Sequence, residues 1–347
     1  MRLPADLKPS RVVVVRPRGL GDVVLSSAVL DALRRAWPDT RIDYVAEKPS
    51  RQLLETDPRL DRIFLLGPPQ TDGRITGGGS AAAVKWLREG KPDVVFDLFS
   101  NPRTAILTAA SGARFRVGLD WSGRRVAYNV RIPRFEGNKY DDNRYSGQVQ
   151  VDFIRTAGVR WEGDAQPNAP AGPDDHEFAR RAVAEVGLDA ERPFGAVLPG
   201  GSWASKRWTV EAFADTARGL HERTGQPTLV IWGPPEADDA KAIAAAAGEG
   251  AVLAPASTLR QMAALTATPR VLVATDCLGR HFGVVQGGAT VGVFGTTDPR
   301  HWTPRTGPHR TVLAADEGHE TLQTLPADPV LREVDALAVL DSPPGEP

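Results

Sequence analysis

Three segments of the chain place glycine and charged side chains directly after an apolar run. That pattern puts polar groups at the end of a buried strand and the start of a helix. The first reads Arg16-Pro17-Arg18-Gly19-Leu20-Gly21-Asp22. Its GxG is followed by Asp22, Val23 and Val24, so the third glycine of a dinucleotide fingerprint is missing. A carboxylate at the positive end of a helix would also repel a phosphate placed there. Asp22 therefore has two readings, an N-cap for the orphan amides of the helix or a general base accepting a proton from a hydroxyl.

The second segment runs Leu198-Pro199-Gly200-Gly201-Ser202-Trp203-Ala204-Ser205-Lys206-Arg207-Trp208, with Thr209 as the expected N-cap of a helix. It holds no acid before Glu211. Two glycines allow close backbone approach, the Ser202 and Ser205 hydroxyls can donate, and Lys206 and Arg207 supply positive charge. These are the requirements of a diphosphate site, although the order is not that of a Walker loop. A polar surface loop is the plain alternative. The third segment, Ala274-Thr275-Asp276-Cys277-Leu278-Gly279-Arg280-His281, sets Asp276 at a strand end and His281 in the following helix. Two such ligands without a third do not define a metal site, and none is expected. Cys277 reads as a small buried residue rather than a nucleophile.

The elements around these segments alternate. Val12–Val15, Ile42–Ala46, Ile63–Leu66 and Val94–Leu98 have the apolar runs of buried parallel strands, separated by helical patterns. Gly77-Gly78-Gly79 reads as a loop. The stretch from Glu162 to Asp175, EGDAQPNAPAGPDD, has the composition of a linker. Beyond it the pattern restarts with Phe194–Leu198, Thr228–Trp232, Arg270–Ala274 and Thr290–Phe294 as strands, and a last helix over Pro329–Leu340. The expectation is an α/β chain of two Rossmann-like, doubly wound domains, residues 1–165 and 166–347, facing a cleft, with the last helix crossing back.

The bulk composition fits. The 347 residues are 41% hydrophobic and 24% charged, with one cysteine, so a disulfide framework is excluded. The first residues lack a signal-peptide core and no run is long enough to span a bilayer, so a cytoplasmic protein is expected, at most peripheral on the inner membrane. Net charge is −1, yet Lys and Arg number 27 against 18 Asp and Glu through Trp161, and 15 against 25 after it. A basic first half points to an anionic partner, and the absence of a dense basic run interleaved with aromatics argues against nucleic acid.

Taken together, the segments resemble glycosyltransferase family 9, the ADP-heptose:lipopolysaccharide heptosyltransferase family. The resemblance rests on RPRGLGDVVLSSAVLDALRRAWPDTRIDYVA, FDLFSNPRTAILTAASGARFRVGL, LPGGSWASKRWTVEAFADTARGL, IWGPPEADDAKAI and ATDCLGRHFGVVQGGATVGVFGTTDP, in that order. It implies a glycosyltransferase-B type fold and an inverting transferase with no required metal or cofactor. It further implies an ADP-linked sugar donor and an anionic glycan or lipopolysaccharide-core acceptor. Position by position, Asp22 matches the family's base. Ser202 and Lys206 match the donor loop, and Glu236 the acid on the ribose. Asp276 matches the acid on the transferred sugar, His281 a histidine near the diphosphate, and Gly279 belongs to the same donor segment. Arg18, Arg103 and Arg124 are the candidate acceptor-binding residues, within a basic set that includes Arg116, Arg125 and Arg131.

One departure stands out. The family's Asp-Ser/Thr-Gly-x-x-His is here Asp276-Cys277-Leu278-Gly279-Arg280-His281, with Leu278 at the glycine position and Arg280 as a further candidate cation beside the diphosphate. The alternative reading is therefore a non-catalytic nucleotide-sugar-binding protein derived from such a transferase. A Rossmann oxidoreductase or epimerase is disfavoured by the missing third glycine, by Asp22 and by the lack of a Tyr-x-x-x-Lys pair.

Overall fold

The computed structural model describes residues 1–133 and 144–340. The chain divides into two compact units, Met1–Pro170 and Ala171–Pro347. Asn168 accounts for the position of the division. Its N–H donates to Ser27 Oγ at 2.8 Å, and its side chain accepts from Arg59 at 2.7 Å. The end of the expected linker is already helical, because Pro173 opens a helix at the position where a missing N–H costs nothing.

The first unit carries strands β1 (Arg11–Val15), β2 (Arg41–Glu47), β3 (Arg62–Leu66), β4 (Gln70–Asp72), β5 (Ile75–Gly78), β6 (Val94–Asp97), β7 (Phe115–Leu119) and β8 (Val130–Ile132). Its helices are α1 (Leu20–Leu25), α2 (Ser27–Ala36), α3 (Arg51–Leu54), α4 (Ser80–Gly90), α5 (Pro102–Ala110) and α6 (Ser146–Ala157). The sheet order is β4-β5-β3-β2-β1-β6-β7-β8, parallel except for the β4–β5 pair. Val12 to Val15 lie at its centre with at most 1% of their surface accessible. That is why this strand reads as a continuous β-branched run rather than an alternating one.

The second unit holds β9 (Gly195–Leu198), β10 (Thr228–Val230), β11 (Ala251–Leu253), β12 (Val271–Thr275), β13 (Thr290–Phe294) and β14 (His309–Leu313). Its helices are α7 (Pro173–Glu185), α8 (Val210–Thr224), α9 (Ala237–Ala247), α10 (Leu259–Leu265), α11 (Leu278–Val285) and α12 (Asp328–Leu337). The order is β11-β10-β9-β12-β13-β14 and every pair is parallel. The last helix, α12, packs on α8, β13 and β14 of its own unit.

Both sheets are doubly wound. From β1 the chain builds outward through β2 and β3, then returns to the other side with β6. From β9 it builds outward through β10 and β11, then returns with β12. Loops after β1 and β6, and after β9 and β12, therefore leave in opposite directions and open a crevice at the strand ends. Gly77 and Gly78 are not loop but the end of β5, paired with Leu65 and Leu66 of β3. Backbone pairing holds them extended despite the glycine content, Gly77 on both sides of β5 and Gly78 on the β3 side.

Candidate functional site

The reversal point of the second unit gathers the charged residues of two of the three segments. After β9, Gly201 adopts φ 145°, and a Cβ there would lie 2.8 Å from the Lys206 carbonyl oxygen. Only glycine lets the loop fold back so tightly. Arg207 Nε donates to the Gly201 carbonyl at 3.1 Å, and Thr275 Oγ1 of β12 donates to the Gly200 carbonyl at 2.6 Å. The loop is thus tied both to itself and to the neighbouring strand end. It carries Lys206 to Asp276, with Nζ 2.5 Å from Oδ2. The Asp276 side chain is 5% accessible and that of Lys206 24%, so the pair is partly screened from water on one side only. Thr209 caps α8, accepting from the Ala212 N–H at 3.1 Å.

His281 is buried and lies behind this pair. Its ring meets Trp302 edge-on at 5.7 Å, and Lys206 Nζ stands 5.8 Å from the same tryptophan. Trp302 follows β13 and was not legible as a site residue, since nothing in its local sequence distinguishes it. Ser202 is exposed on the loop, beside Trp203 at 70% accessibility. Glu236 stands at the residue before α9, after β10, without a side-chain cap bond, and burial pushes its carboxyl above the ordinary glutamate range against the opposing pull of Arg207.

The remaining residues of the third segment have other tasks. A Cβ on Gly279 would lie 2.2 Å from Leu198 Cδ1, so this glycine serves the packing of α11 on β9. The Arg280 guanidinium is fully buried and donates to the Trp302 carbonyl at 2.9 Å, which removes it as a cation facing a ligand. Burial raises the Cys277 thiol to about 11, consistent with a packing role. Leu278 takes the first position of α11 and is partly exposed. A separate depression of about 310 Å³ at the start of α8, lined by Pro199, Arg207, Glu211, Asp239 and Gln323 among others, includes none of the expected donor residues.

In the first unit the N-cap reading of Asp22 fails. Gly19 occupies the cap at φ 82° and Asp22 is the third residue of α1. A Cβ on Gly19 would fall 2.5 Å from Asp22 Oδ2, so the glycine clears the carboxylate. Arg16 NH2 holds that oxygen at 2.7 Å. Arg16 also donates to the Leu98 carbonyl at 3.3 Å and lies over the Phe99 ring at 4.9 Å, joining the ends of β1 and β6. At the β6 end, Ser100 has φ 51°, a strained value for a side-chain-bearing residue. The buried Asp97 carboxylate stabilises it, accepting from the Ser100 N–H at 2.8 Å and the Tyr128 hydroxyl at 2.7 Å. Desolvation raises the Asp97 pKa.

The expected acceptor arginines are brought together only in part. Arg18 and Arg103 share Glu47, at 3.2 and 3.5 Å. Arg124 donates to the Ser100 carbonyl at 3.2 Å and stacks on Trp121 at 4.4 Å. Arg116 and Arg131 instead donate to backbone carbonyls of residues 113, 125, 127 and 128. Among the described residues no three His, Cys, Asp or Glu side chains are placed to hold a metal ion, and no helix is long and apolar enough to cross a membrane.

Two doubly wound sheets, each with its polar residues at the reversal of strand order, define a protein of the glycosyltransferase-B type. Solved structures share this fold. A glycosyltransferase family 9 protein of Veillonella parvula superposes with a TM-score of 0.81 at 22% identity, covering 97% of this chain and 99% of that one. The Escherichia coli heptosyltransferase WaaC with ADP gives 0.70 at 19%, covering 94% and 98%. In sequence, lipopolysaccharide heptosyltransferase 3 of Escherichia coli is 22% identical over 340 residues, 91% of this chain and 96% of that protein. Residues 81–325 match the model of glycosyltransferase family 9 (heptosyltransferase), and the chain belongs to that family.

The Lys206–Asp276 contact makes a stability prediction. Lys206→Ala leaves a buried carboxylate without its cation and should destabilise by about 1–3 kcal/mol, less than a fully buried pair because Lys206 retains some water. Adding Asp276→Asn should return most of the lost melting temperature. If the double variant melts no higher than Lys206→Ala alone, the unpaired Asp276 carboxylate is not the cause of the loss.

Proposed function

We propose that the protein transfers a heptose from ADP-heptose to a hydroxyl of an anionic glycan or lipopolysaccharide-core acceptor, with inversion and without a metal ion. The observation carrying this reading is the Lys206–Asp276 pair at the strand reversal of the second unit, in a chain whose family is heptosyltransferase. The names of the relatives support the sugar and the acceptor class, and the ADP-bound WaaC structure supports the nucleotide. On this reading Ser202, Lys206 and the amides of the Gly200-Gly201 loop hold the diphosphate, Glu236 the ribose and Asp276 the sugar, with His281 behind them.

Chemically, the reading is a single displacement. Asp22 accepts the proton of the acceptor hydroxyl while that oxygen attacks the anomeric carbon. The bond from the anomeric carbon to the diphosphate oxygen breaks on the opposite face, and ADP leaves with the electron pair. Lys206 and oriented backbone N–H groups meet the charge that develops. One well-placed donor of this kind is worth about 10²–10³ in rate. Arg16 fixes which carboxylate oxygen of Asp22 is free to act as the base.

Asp22→Asn keeps the size and the helix position but cannot take the proton. Transfer from ADP-heptose should fall by about 10²–10⁴ while calorimetric ADP affinity stays within twofold. Wild-type transfer by this variant removes Asp22 from catalysis. Absence of transfer by the unaltered protein, with ADP still bound, favours the non-catalytic reading that Leu278 motivates.

Glu236 adds a pH dependence. An ionised carboxylate can accept from both ribose hydroxyls, whereas a protonated one loses an acceptor. Because burial raises its pKa, protonation reaches Glu236 at a higher pH than an ordinary glutamate. ADP affinity should therefore hold at neutral pH and fall on acidification earlier than an exposed glutamate would dictate. Glu236→Gln should flatten that fall, and an unchanged pH profile in the variant would assign the titration elsewhere.

We further propose that the first unit rests on the cytoplasmic face of the inner membrane. Ile106 of α5 and Val126, in the short turn packed on α5, are 67% and 80% accessible. Residues 98–133 carry six arginines and a single acid, Asp120. Two exposed apolar side chains within a basic field suit an anionic bilayer. The protein should co-sediment with phosphatidylglycerol vesicles at low salt, and Ile106→Ser with Val126→Ser should reduce that several-fold. Equal sedimentation of both proteins would rule the surface out.

A further inference from the structure

Arg280 is the largest side chain of the described residues without solvent access. A guanidinium removed from water is costly unless its N–H groups find acceptors. It is the third residue of α11 and reaches across β13, with its Cζ 4.9 Å from the centre of the Phe294 ring. Gly292 makes the room, since a Cβ there would lie 2.4 Å from Arg280 Nε. Two of its nitrogens then donate to consecutive residues, NH1 to the Trp302 carbonyl at 2.9 Å and NH2 to Thr303 Oγ1. A charge buried in the core is thus used to fasten the segment that follows β13.

What that segment presents is the indole of Trp302. Its ring packs on His281 at 5.7 Å with an interplanar angle of 61°, and is 5.8 Å from Lys206 Nζ. Lys206 in turn reaches Asp276. An aromatic face is therefore held beside the ion pair, partly open to solvent. Strand order says which part of a donor would meet it. Glu236 follows β10, Ser202 and Lys206 follow β9, Asp276 and His281 follow β12, and Trp302 follows β13. These four strands are consecutive neighbours in the sheet. At about 4.8 Å per strand they span roughly 14 Å, a reach suited to a ribose, two phosphates and a sugar ring laid in that order. The sugar then falls at Trp302, whose flat apolar face complements the C–H face of a pyranose.

We infer that Trp302 is a specificity-determining contact for the transferred sugar and that Arg280 is the positioning residue that holds it in place. The inference rests on the donor reading above. Arg280 acts through Trp302 and does not itself touch the donor.

The test is calorimetric titration of the wild type, Trp302→Ala, Trp302→Phe and Arg280→Met with ADP and separately with ADP-heptose. Trp302→Ala should keep ADP affinity within about twofold and weaken ADP-heptose about tenfold, the usual effect of truncating a buried aromatic contact. Trp302→Phe should recover most of the loss. Arg280→Met, similar in length but without donors, should show the same split between the two ligands. Equal weakening of both ligands, or of neither, in Trp302→Ala overturns the sugar contact. A folded Arg280→Met with wild-type ADP-heptose affinity overturns the positioning role. Should Arg280→Met fail to fold, the Trp302 pair still decides the sugar contact, and Arg280→Lys, which keeps the charge but offers one donor group, decides the positioning by the same split. A wild type that gains nothing from the heptose overturns the donor reading, a failure seen without any variant.

Discussion

A parallel strand cannot return to its neighbour through a hairpin, and this constraint organises everything else in the protein. Each crossover passes over the sheet, so every loop that follows one of the parallel strands emerges at the same edge. Where the order of strands reverses, two such loops diverge and leave backbone groups and side chains facing an opening rather than each other. The reversals fall between β1 and β6 and between β9 and β12. Arg16 and Asp22 stand at the first, Lys206 and Asp276 at the second. The first pair lies after β1 and is far in sequence from β6, whereas the second bridges its reversal, Lys206 following β9 and Asp276 following β12.

The two charged pairs differ in exposure, which bears on what each can do. Asp22 keeps 27% of its side chain accessible to solvent. Asp276 keeps 5%, so its charge is balanced by Lys206 rather than by water. Other buried polar groups form a supporting layer. Asp97 holds Ser100 in its strained conformation, and Arg280 holds the segment of Trp302. Both are withdrawn from solvent, and each fixes the backbone that follows a strand, β6 and β13 respectively. Buried hydrogen-bonded charges of this kind are expensive to leave unpaired, which makes the arrangements they hold difficult to relax. The departure at Leu278 also takes on a physical sense. The glycine one position later is required by Leu198 of β9, so the close approach in this segment is between the chain's own elements.

Much of this was legible in the amino-acid order because short-range chemistry dictates it. The continuous apolar run of Val12–Val15 demands a strand buried on both faces, and Thr209 before an apolar-periodic stretch demands a helix start. Glycine beside acid or lysine after such strands marked Asp22, Lys206 and Asp276, and five ordered segments were enough to name the family. Local pattern failed where partners are distant in sequence. The three glycines from Gly77 read as a loop because propensity does not see the β3 and β4 neighbours that hold two of them in β5. Arg280 looked like a free cation, and only the tertiary structure, by bringing β13 and the Trp302 segment against α11, turned it into the core. The sequence by itself determined the α/β class and the family, since these follow from periodicity and motif order. Which charges face outward, which are spent inside, and that a tryptophan some 96 residues beyond Lys206 stands beside it were decided by packing, because an ion pair or an aromatic contact depends on distance in space and not along the chain.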